Sequence, residues 1–344
     1  MTEKTPRELG YRMPAEWQPH AATWLSWPRP DGVSFPNRYE EVLPTLGELV
    51  RAIAPHEAVH VNVRNDEVES IARRTVGENV NNVFYHRIPS YGPWCRDHGP
   101  IFVTSANQLA VVDWAYNAYG NKYPLHDDDD AVPQRVAELL KLKVFGPNIV
   151  LEGGSIDVNG QGSLLTTTSC LLNPNRNPHL NQQQIEQYLR DYLGAENFLW
   201  LGGGIDGDDT DGHVDNLARF VNPTTVVAVV ERDPHDVNYH PFQENRKRLL
   251  TMRDQDDRPL RVVELPTPGL VEYRGKRLPA SYANFYIANE VVVLPTYRNP
   301  TTDKAALDTL QKLFPDRRVV GLDSTSLIWG LGSFHCLSQQ QPAV

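Results

Sequence analysis

Cysteine is nearly absent from this chain: three in 344 residues, Cys95, Cys170 and Cys336, with no Cys-x-x-Cys pair. So sparse and odd a set excludes a disulfide framework and argues against a thiolate zinc site. Long apolar runs are missing too, since nothing approaches the roughly 20 residues of a membrane span. The opening residues Met1–Pro6 carry no apolar h-region, so no leader peptide is expected. Positive charge is also in deficit. With 33 Lys and Arg against 43 Asp and Glu the formal net charge is −10, which disfavours nucleic acid as a partner. The expectation is a cytoplasmic protein with reduced thiols and no membrane partner, whose acidic surface suits a small cation.

What is present is a globular composition, 40% hydrophobic and 22% charged. Short β-branched runs bounded by turn residues predict strands over Ala58–Val63, Val83–Ile88, Gln108–Asp113, Ser163–Thr168 and Asn197–Leu201. Five more are expected over Leu217–Val221, Thr225–Val230, Arg261–Leu265, Val291–Leu294 and Arg318–Gly321. Helical periodicity marks Tyr39–Ile53, Asp66–Val76, Pro133–Leu142, Gln182–Leu193, Phe242–Met252 and Thr302–Phe314. Asn181 with Gln184 three residues on reads as a capping box. Strands outnumber helices, whereas a doubly wound sheet expects about one each. No linker divides the chain, so residues 1–344 read as one α/β domain of ββα-like units. The acidic run Asp127–Asp130 reads as a solvated loop.

Three familiar patterns fail on spacing. His56-Glu57-Ala58-Val59-His60 matches HExxH by letter, but Pro55 breaks the helix it needs and the continuation alternates like a strand. Residues four apart on a strand lie roughly 13 Å apart, too far to share one zinc. Asp206–Gly212 resembles a calcium loop, yet neither register supplies both the glycine at the sixth position and the glutamate at the twelfth. Gly202-Gly203-Gly204 lacks the Gly-Lys-Ser/Thr of a phosphate loop.

Four segments instead pair glycines with polar residues: Tyr91–Pro100, Leu151–Ser155, Asp211–Asn216 and Gly330–Leu337. They offer one thiol (Cys336), one imidazole (His213) and three carboxylates (Asp97, Glu152, Asp215). His213 and Asp215 are two apart, which on an extended strand points both to one face. An imidazolium favours the thiolate of a nearby cysteine. Carboxylates beyond the one that orients a histidine make sense for a cation rich in N–H donors, and a guanidinium is planar with five. Asp97 and Asp215 would then hold its edges while Cys336 attacks its carbon. His213 would protonate departing ammonia and activate water, and Glu152 would hydrogen-bond His213 and favour its protonated form. Each residue also has a plain structural reading. Asp97 could pair with Arg96, Glu152 could cap a turn, and His213 could be a satisfied core histidine. Cys95 and Cys170 read as buried thiols, and Trp94 as core or site wall.

These residues resemble the agmatine deiminase family, which includes the bacterial-type peptidylarginine deiminases. The matching stretches are Tyr11–Trp17, Trp94–Pro100, Leu151–Gly154 through Leu171–Pro178, Thr210–Asn216, Tyr282–Asn289 and His335–Pro342. The resemblance implies a five-bladed α/β propeller (pentein fold) with pseudo-fivefold symmetry. It also implies the catalytic set Asp97, Glu152, His213, Asp215 and Cys336, with no metal, no organic cofactor and a homodimer. Trp94 and Gly332 would line the pocket, and Asp208 or Asp209 would receive a distal ammonium. Ser90–Pro93 and Gly203–Asp209 depart from the family pattern, at places expected to line the outer pocket. Agmatine hydrolysis is the leading reading. Deimination of free or peptidyl arginine is the alternative within that chemistry, and an arginine or lysine in the outer pocket would favour it. Amidino transfer to an amine is a third outcome. A non-catalytic propeller would be expected to lack one of the five polar residues, and a papain-like protease would carry its cysteine near the other end of the chain.

Overall fold

A computed structural model describes residues 4–344, so Met1–Glu3 of the segment read for a leader lie outside the described residues. In chain order the strands begin with β1 (His20–Ser26), β2 (Ala58–Val63) and β3 (Val83–Arg87). Then come β4 (Ile101–Ser105), β5 (Gln108–Val112), β6 (Lys143–Phe145), β7 (Ile156–Val158), β8 (Ser163–Thr167) and β9 (Asn197–Leu201). They continue with β10 (Ala218–Asn222), β11 (Thr225–Val230), β12 (Arg261–Pro266), a small hairpin of β13 (Glu272–Tyr273) and β14 (Lys276–Arg277), and β15 (Tyr286–Ile287). The last are β16 (Val291–Thr296), β17 (Arg318–Asp323) and β18 (Ser338–Pro342).

Apart from the hairpin, these strands form five mixed sheets, and all five are wired alike. β4-β5-β6, β7-β8-β9, β10-β11-β12 and β15-β16-β17 each join an antiparallel pair to a parallel third strand. The fifth repeats the pattern with its first strand taken from the C-terminus: β18 pairs antiparallel with β1, β1 parallel with β2, and β3 is added parallel at the edge. A helix makes each parallel crossover, as parallel pairing requires. Tyr39–Ile53 serves β1–β2, Val132–Leu140 β5–β6, Gln182–Leu193 β8–β9, Tyr239–Thr251 β11–β12 and Pro300–Leu313 β16–β17.

Local chemistry explains these elements. Helix Tyr39–Ile53 buries Val42, Leu43, Leu46, Leu49, Val50 and Ile53, one stripe at helical spacing. It crosses Asp66–Val76 at Gly47, where a Cβ would lie 2.6 Å from Thr75 O. Asn181 Oδ1 accepts from Gln184 N at 3.0 Å while Gln184 Oε1 accepts from Asn181 N at 2.9 Å, the reciprocal cap expected from the sequence. Central strand β11 is buried at all six positions, which is why Thr225–Val230 reads as a continuous apolar run.

Every expected strand and helix coincides with an observed one, with ends moved by up to three residues. Strands β1, β4, β6, β7, β13, β14, β15 and β18 lie where none was expected. β18 is the clearest case: Ser-Gln-Gln-Gln carries no apolar signal, yet Ser338, Gln339 and Gln340 are buried, and distant side chains bond the amides of Gln340 and Gln341. Arg96 Nη1 donates to Gln340 Oε1 at 2.7 Å and Trp24 Nε1 to Gln341 Oε1 at 2.8 Å. Asp127–Asp130 is not a solvated loop but a helical turn. Asp129 is buried, and its Oδ1 accepts from the backbone N–H groups of Tyr91 and Gly92 at 2.7 and 3.2 Å. Of the HExxH letters, His60 lies on β2 against His86 while His56 faces Glu290, so the two imidazoles have separate partners. Among the described residues no helix is long and apolar enough to cross a membrane.

Candidate active site

The first strand of each sheet is entered through a short turn, and each turn delivers a polar side chain to one place. Cys95–His98 before β4 carries Asp97, and Gly153–Ser155 before β7 follows Glu152. Val214–Asn216 before β10 carries Asp215 and follows His213. A turn at Tyr282-Ala283 before β15 presents Asn284, and Phe334–Leu337 before β18 carries Cys336. The extended-strand geometry expected for His213 and Asp215 is therefore replaced by a 3₁₀ turn. The two still converge, on opposite sides of Gly154. A Cβ there would lie 2.6 Å from His213 Nδ1, 2.6 Å from Asp97 Oδ1 and 3.1 Å from Asp215 Oδ2.

Cys336 Sγ lies 3.6 Å from Asp215 Oδ2 and accepts from Asn284 Nδ2 at 3.1 Å. Asn284 Oδ1 in turn accepts from Cys336 N at 3.3 Å, so one amide grips the residue at both ends. Asp97 takes Tyr119 OH at 2.9 Å and Gly154 N at 3.0 Å, and its Oδ1 lies 3.5 Å from His213 Nδ1. Arg96 does not pair with Asp97; it donates to Glu16 at 3.1 Å. Glu152 neither caps the turn with its side chain nor makes the expected hydrogen bond to His213: Arg176 Nε donates to its Oε1 at 2.7 Å, and Oε2 has no partner. His213 is not a satisfied core histidine, since neither ring nitrogen completes a hydrogen bond although the residue is fully buried. Asp215 Oδ1 is likewise unpartnered. Buried polar atoms without partners are rare enough to need a reason, and a ligand with several N–H donors is one.

Electrostatics follows from this crowding. Burial pushes Asp97 up to about 7, with Asp215 and Glu152 adding to the rise and His213 opposing it. Burial alone would lower His213, but Asp97, the Cys170 thiol and Glu152 raise it well above its ordinary range. Burial also drives the Cys336 thiol well up, and the charges of Asp215 and Asp97 drive it further. Asp215 behaves oppositely. Burial would raise it, but His335, whose Nδ1 lies 2.8 Å from Asp215 Oδ2, leaves it below its ordinary value.

Above the thiol opens a cavity of about 620 Å³, floored by Cys336 and Asp97 and walled by Trp94, Tyr119 and Gly332. Gly332 cannot carry a side chain, because a Cβ would meet the Trp94 ring at 2.5 Å. Glu152, His213 and Asp215 do not line this space and stand behind its floor. Asp209 reaches the outer cavity, where Tyr123 OH donates to it at 2.5 Å. Asp208 does not. Its carboxylate is spent on its own loop, accepting from Thr210 N at 2.9 Å and Gly212 N at 2.7 Å, which corrects its expected place in the pocket. Lys276 and Arg277 of the β13–β14 hairpin stand at the rim, with Arg277 Nη2 held by Asp236 at 2.9 Å.

Several participants were not singled out as site residues in the sequence. Glu16 collects His335 Nε2 at 2.9 Å, Arg96 at 3.1 Å and Arg219 at 3.0 Å, joining two entry turns to strand β10. Asn284, His335 and Tyr119 are long-range partners that spacing alone does not reveal, although two of them stand in the matching stretches above. Cys170, read as a plain buried thiol, touches the site: its sulfur and the ligand atoms of Glu152 and His213 lie within 4.8 Å of one another. Among the described residues those three side chains are the set close enough to hold a metal ion, and the Arg176 guanidinium already neutralises one arm of that carboxylate.

Known proteins are similar to this chain in sequence and fold. The model of the Porphyromonas-type peptidyl-arginine deiminase family matches residues 12–342. An agmatine deiminase of Pseudomonas aeruginosa is 38% identical over 98% of this chain and 97% of its own length. The solved agmatine deiminase of Enterococcus faecalis superimposes with a TM-score of 0.93 at 34% identity, covering 100% of this chain and 99% of its own. An agmatine deiminase of C. jejuni with substrate bound gives 0.89 at 31% identity, over 96% of each chain. On sequence and fold together, the chain belongs to the Porphyromonas-type peptidyl-arginine deiminase family.

Proposed function

We propose that this protein is an agmatine deiminase, hydrolysing agmatine to N-carbamoylputrescine and ammonia. The observation that carries the reading is Cys336 at the floor of a cavity beside Asp97, with Asp215 Oδ2 3.6 Å from its sulfur. Two carboxylates flanking a thiol suit a planar cation whose carbon must be attacked from above its plane. Burial and the charges of Asp215 and Asp97 keep the empty site's thiol protonated. A guanidinium beside them offsets those charges and eases the thiol's ionisation, its proton leaving to solvent and returning to the sulfur once the C–S bond has broken. The thiolate adds to the guanidinium carbon, and the C–N bond to ammonia breaks as His213 delivers a proton. The S-alkylthiouronium left behind is attacked by water that gives its proton to His213; the C–S bond then breaks and the ureido product leaves. Glu152 and Asp97 favour the charged imidazole between these steps.

At the far end, Asp209 on the cavity wall suits agmatine's ammonium. A specific observation keeps a second reading open: Lys276 and Arg277 at the rim would suit a guanidine bearing a carboxylate. Arg277 is already paired with Asp236, whereas the Asp209 carboxylate faces the cavity with a neutral phenol as its side-chain partner. We therefore place agmatine first. We also infer that the five sheets stand as five propeller blades about a pseudo-fivefold axis and form one catalytic domain, because each sheet sends its entry turn to the same site.

The test is release of ammonia and ureido product from agmatine, arginine, peptidyl arginine and short guanidines. Turnover of agmatine above the others is expected. Preference for a carboxylate-bearing guanidine would replace the substrate while keeping the chemistry. No turnover of any guanidine by reduced protein would end the enzymatic reading.

A further inference from the structure

His213 has two tasks in the proposed reaction, as acid when ammonia leaves and as base toward water. A buried imidazole that alternates so needs neighbours that tolerate both its forms. The groups facing it are Asp97 at 3.5 Å from Nδ1, Glu152 and Cys170, with the Tyr119 ring edge-on at 5.9 Å, and Asp215 and Arg176 just beyond. Ionised carboxylates accept hydrogen bonds and cannot donate, so they stabilise the imidazolium but repel the lone pair of neutral imidazole. A thiol can do both, accepting from N–H through sulfur and donating S–H to a bare nitrogen.

Cys170 is held with its sulfur within 4.8 Å of the imidazole, close enough for this contact to close as the ring changes form, although in the empty site neither ring nitrogen is hydrogen-bonded. It sits in the turn Thr168–Leu171, whose N-cap Thr167 accepts from Cys170 N at 3.3 Å. The same Thr167 hydroxyl donates to Gly212 O at 2.6 Å, one residue before His213. Ser169 of that turn presses on Gly212, where a Cβ would lie 2.4 Å from its Oγ. One clamp therefore fixes the thiol relative to the imidazole, and both are fully buried. We propose that Cys170 is a positioning residue for His213, a donor and acceptor that holds the ring through both of its protonation states. The thiol itself stays reduced and forms no covalent bond to substrate. This inference rests on the deiminase reading for its kinetic consequence but not for its physical one.

The experiment compares Cys170→Ala and Cys170→Ser with the parent protein. Cys170→Ala should lower kcat about tenfold or more, a part of the roughly hundredfold or greater that positioned proton transfer contributes. KM should change little, and the pH limb of kcat that reports the imidazole should move. Cys170→Ser, which retains a donor and acceptor, should recover most of kcat and the parent profile. A thiol that only packs predicts the reverse order, because alanine suits an apolar pocket better than serine does. In parallel, imidazole NMR titrations of His213 are taken in Cys336→Ser protein, with and without Cys170→Ala. A His213 titration shifted by Cys170→Ala supports the inference even if agmatine proves the wrong substrate. An unshifted titration overturns it, as does serine failing to recover kcat in a folded protein. Should Cys170→Ala not fold, the serine variant's kcat and its titration in the Cys336→Ser background decide between the same two outcomes.

Discussion

Gly154→Ala is the most incisive single change this site offers, because it adds one methyl group and no charge. Gly154 does not adopt a left-handed backbone, so alanine is tolerated conformationally and the effect is steric. The added carbon would stand 2.6 Å from Asp97 Oδ1, 2.6 Å from His213 Nδ1 and 3.1 Å from Asp215 Oδ2. Ordinary contact begins near 3.4 Å, so Asp97 and His213 must each retreat by about 0.8 Å. Neither moves freely: Asp97 is tied to Tyr119 and to Gly154's own N–H, and His213 is enclosed on every side. Overpacking a buried site by one methyl costs roughly 1–3 kcal/mol. At about 2 cal/mol/K of unfolding entropy per residue, that lowers Tm by only about 1–4 °C in a chain of this length. Catalysis should suffer far more, since misplacing reacting groups by about 1 Å costs on the order of a hundredfold. Expected, then, is a folded protein with kcat/KM for agmatine down about a hundredfold, read by ureido-product formation beside thermal unfolding. Gly146→Ala, with nothing within 4 Å of the new carbon, is the silent control. Activity within about threefold of the parent would refute the claim that these three groups are fixed by contact across Gly154.

Three further outcomes follow from the same geometry. Asn284→Ala removes the amide donor 3.1 Å from the thiol, so thiol alkylation by iodoacetamide should need higher pH, and kcat/KM should drop about tenfold or more; an unmoved alkylation profile would contradict it. Glu16→Gln leaves Arg96 buried with neutral partners and Arg219 with Asp157 as its one carboxylate, and should cost about 3–5 kcal/mol in urea unfolding, with less than about 1 kcal/mol counting against it. Stability should fall as pH rises through about 7, because burial raises Asp97 and its neighbours raise His213, so the folded state holds a proton there that the unfolded chain releases. Urea midpoints between about pH 6 and 9 check the sign, and Asp97→Asn should flatten the slope.

The helices were legible because each crossover helix buries one stripe against its sheet, and apolar spacing reports that directly. Central strands such as Thr225–Val230 were legible because burial on both faces makes them continuously apolar. First strands were not. β18 is polar and is paid for by Arg96 and Trp24, partners 244 and 317 positions away; local pattern carries no trace of contacts at that range. The site residues stood out because glycines beside acids have no packing rationale. Their local conformation did not stand out, and a two-residue spacing proved to be a turn. Asp208 shows the same limit from the other side. An acid in a glycine-rich loop looks available for a ligand, and only the fold reveals that Thr210 and Gly212 have already claimed it.

The glycines near the site have one physical purpose beyond flexibility. Gly153 lets β7's entry turn lie on the backbone of β4's, where a Cβ would be 2.2 Å from Arg96 O. Gly154 lets that same turn touch Asp97, His213 and Asp215 from two neighbours. Turns packed this closely must crowd carboxylates, and crowded buried carboxylates destabilise one another unless cations interleave. Arg176 answers Glu152, His335 answers Asp215, and Arg96 with Arg219 answers Glu16. Of the acids packed around the thiol, Asp97 is the one that lines the open cavity, with a phenol, a backbone N–H and a distant imidazole for partners. Its rise to about 7 marks a negative charge the fold has left unanswered. A cationic substrate supplies the answer, and so gains affinity from the same imbalance that keeps Cys336 unreactive in an empty site.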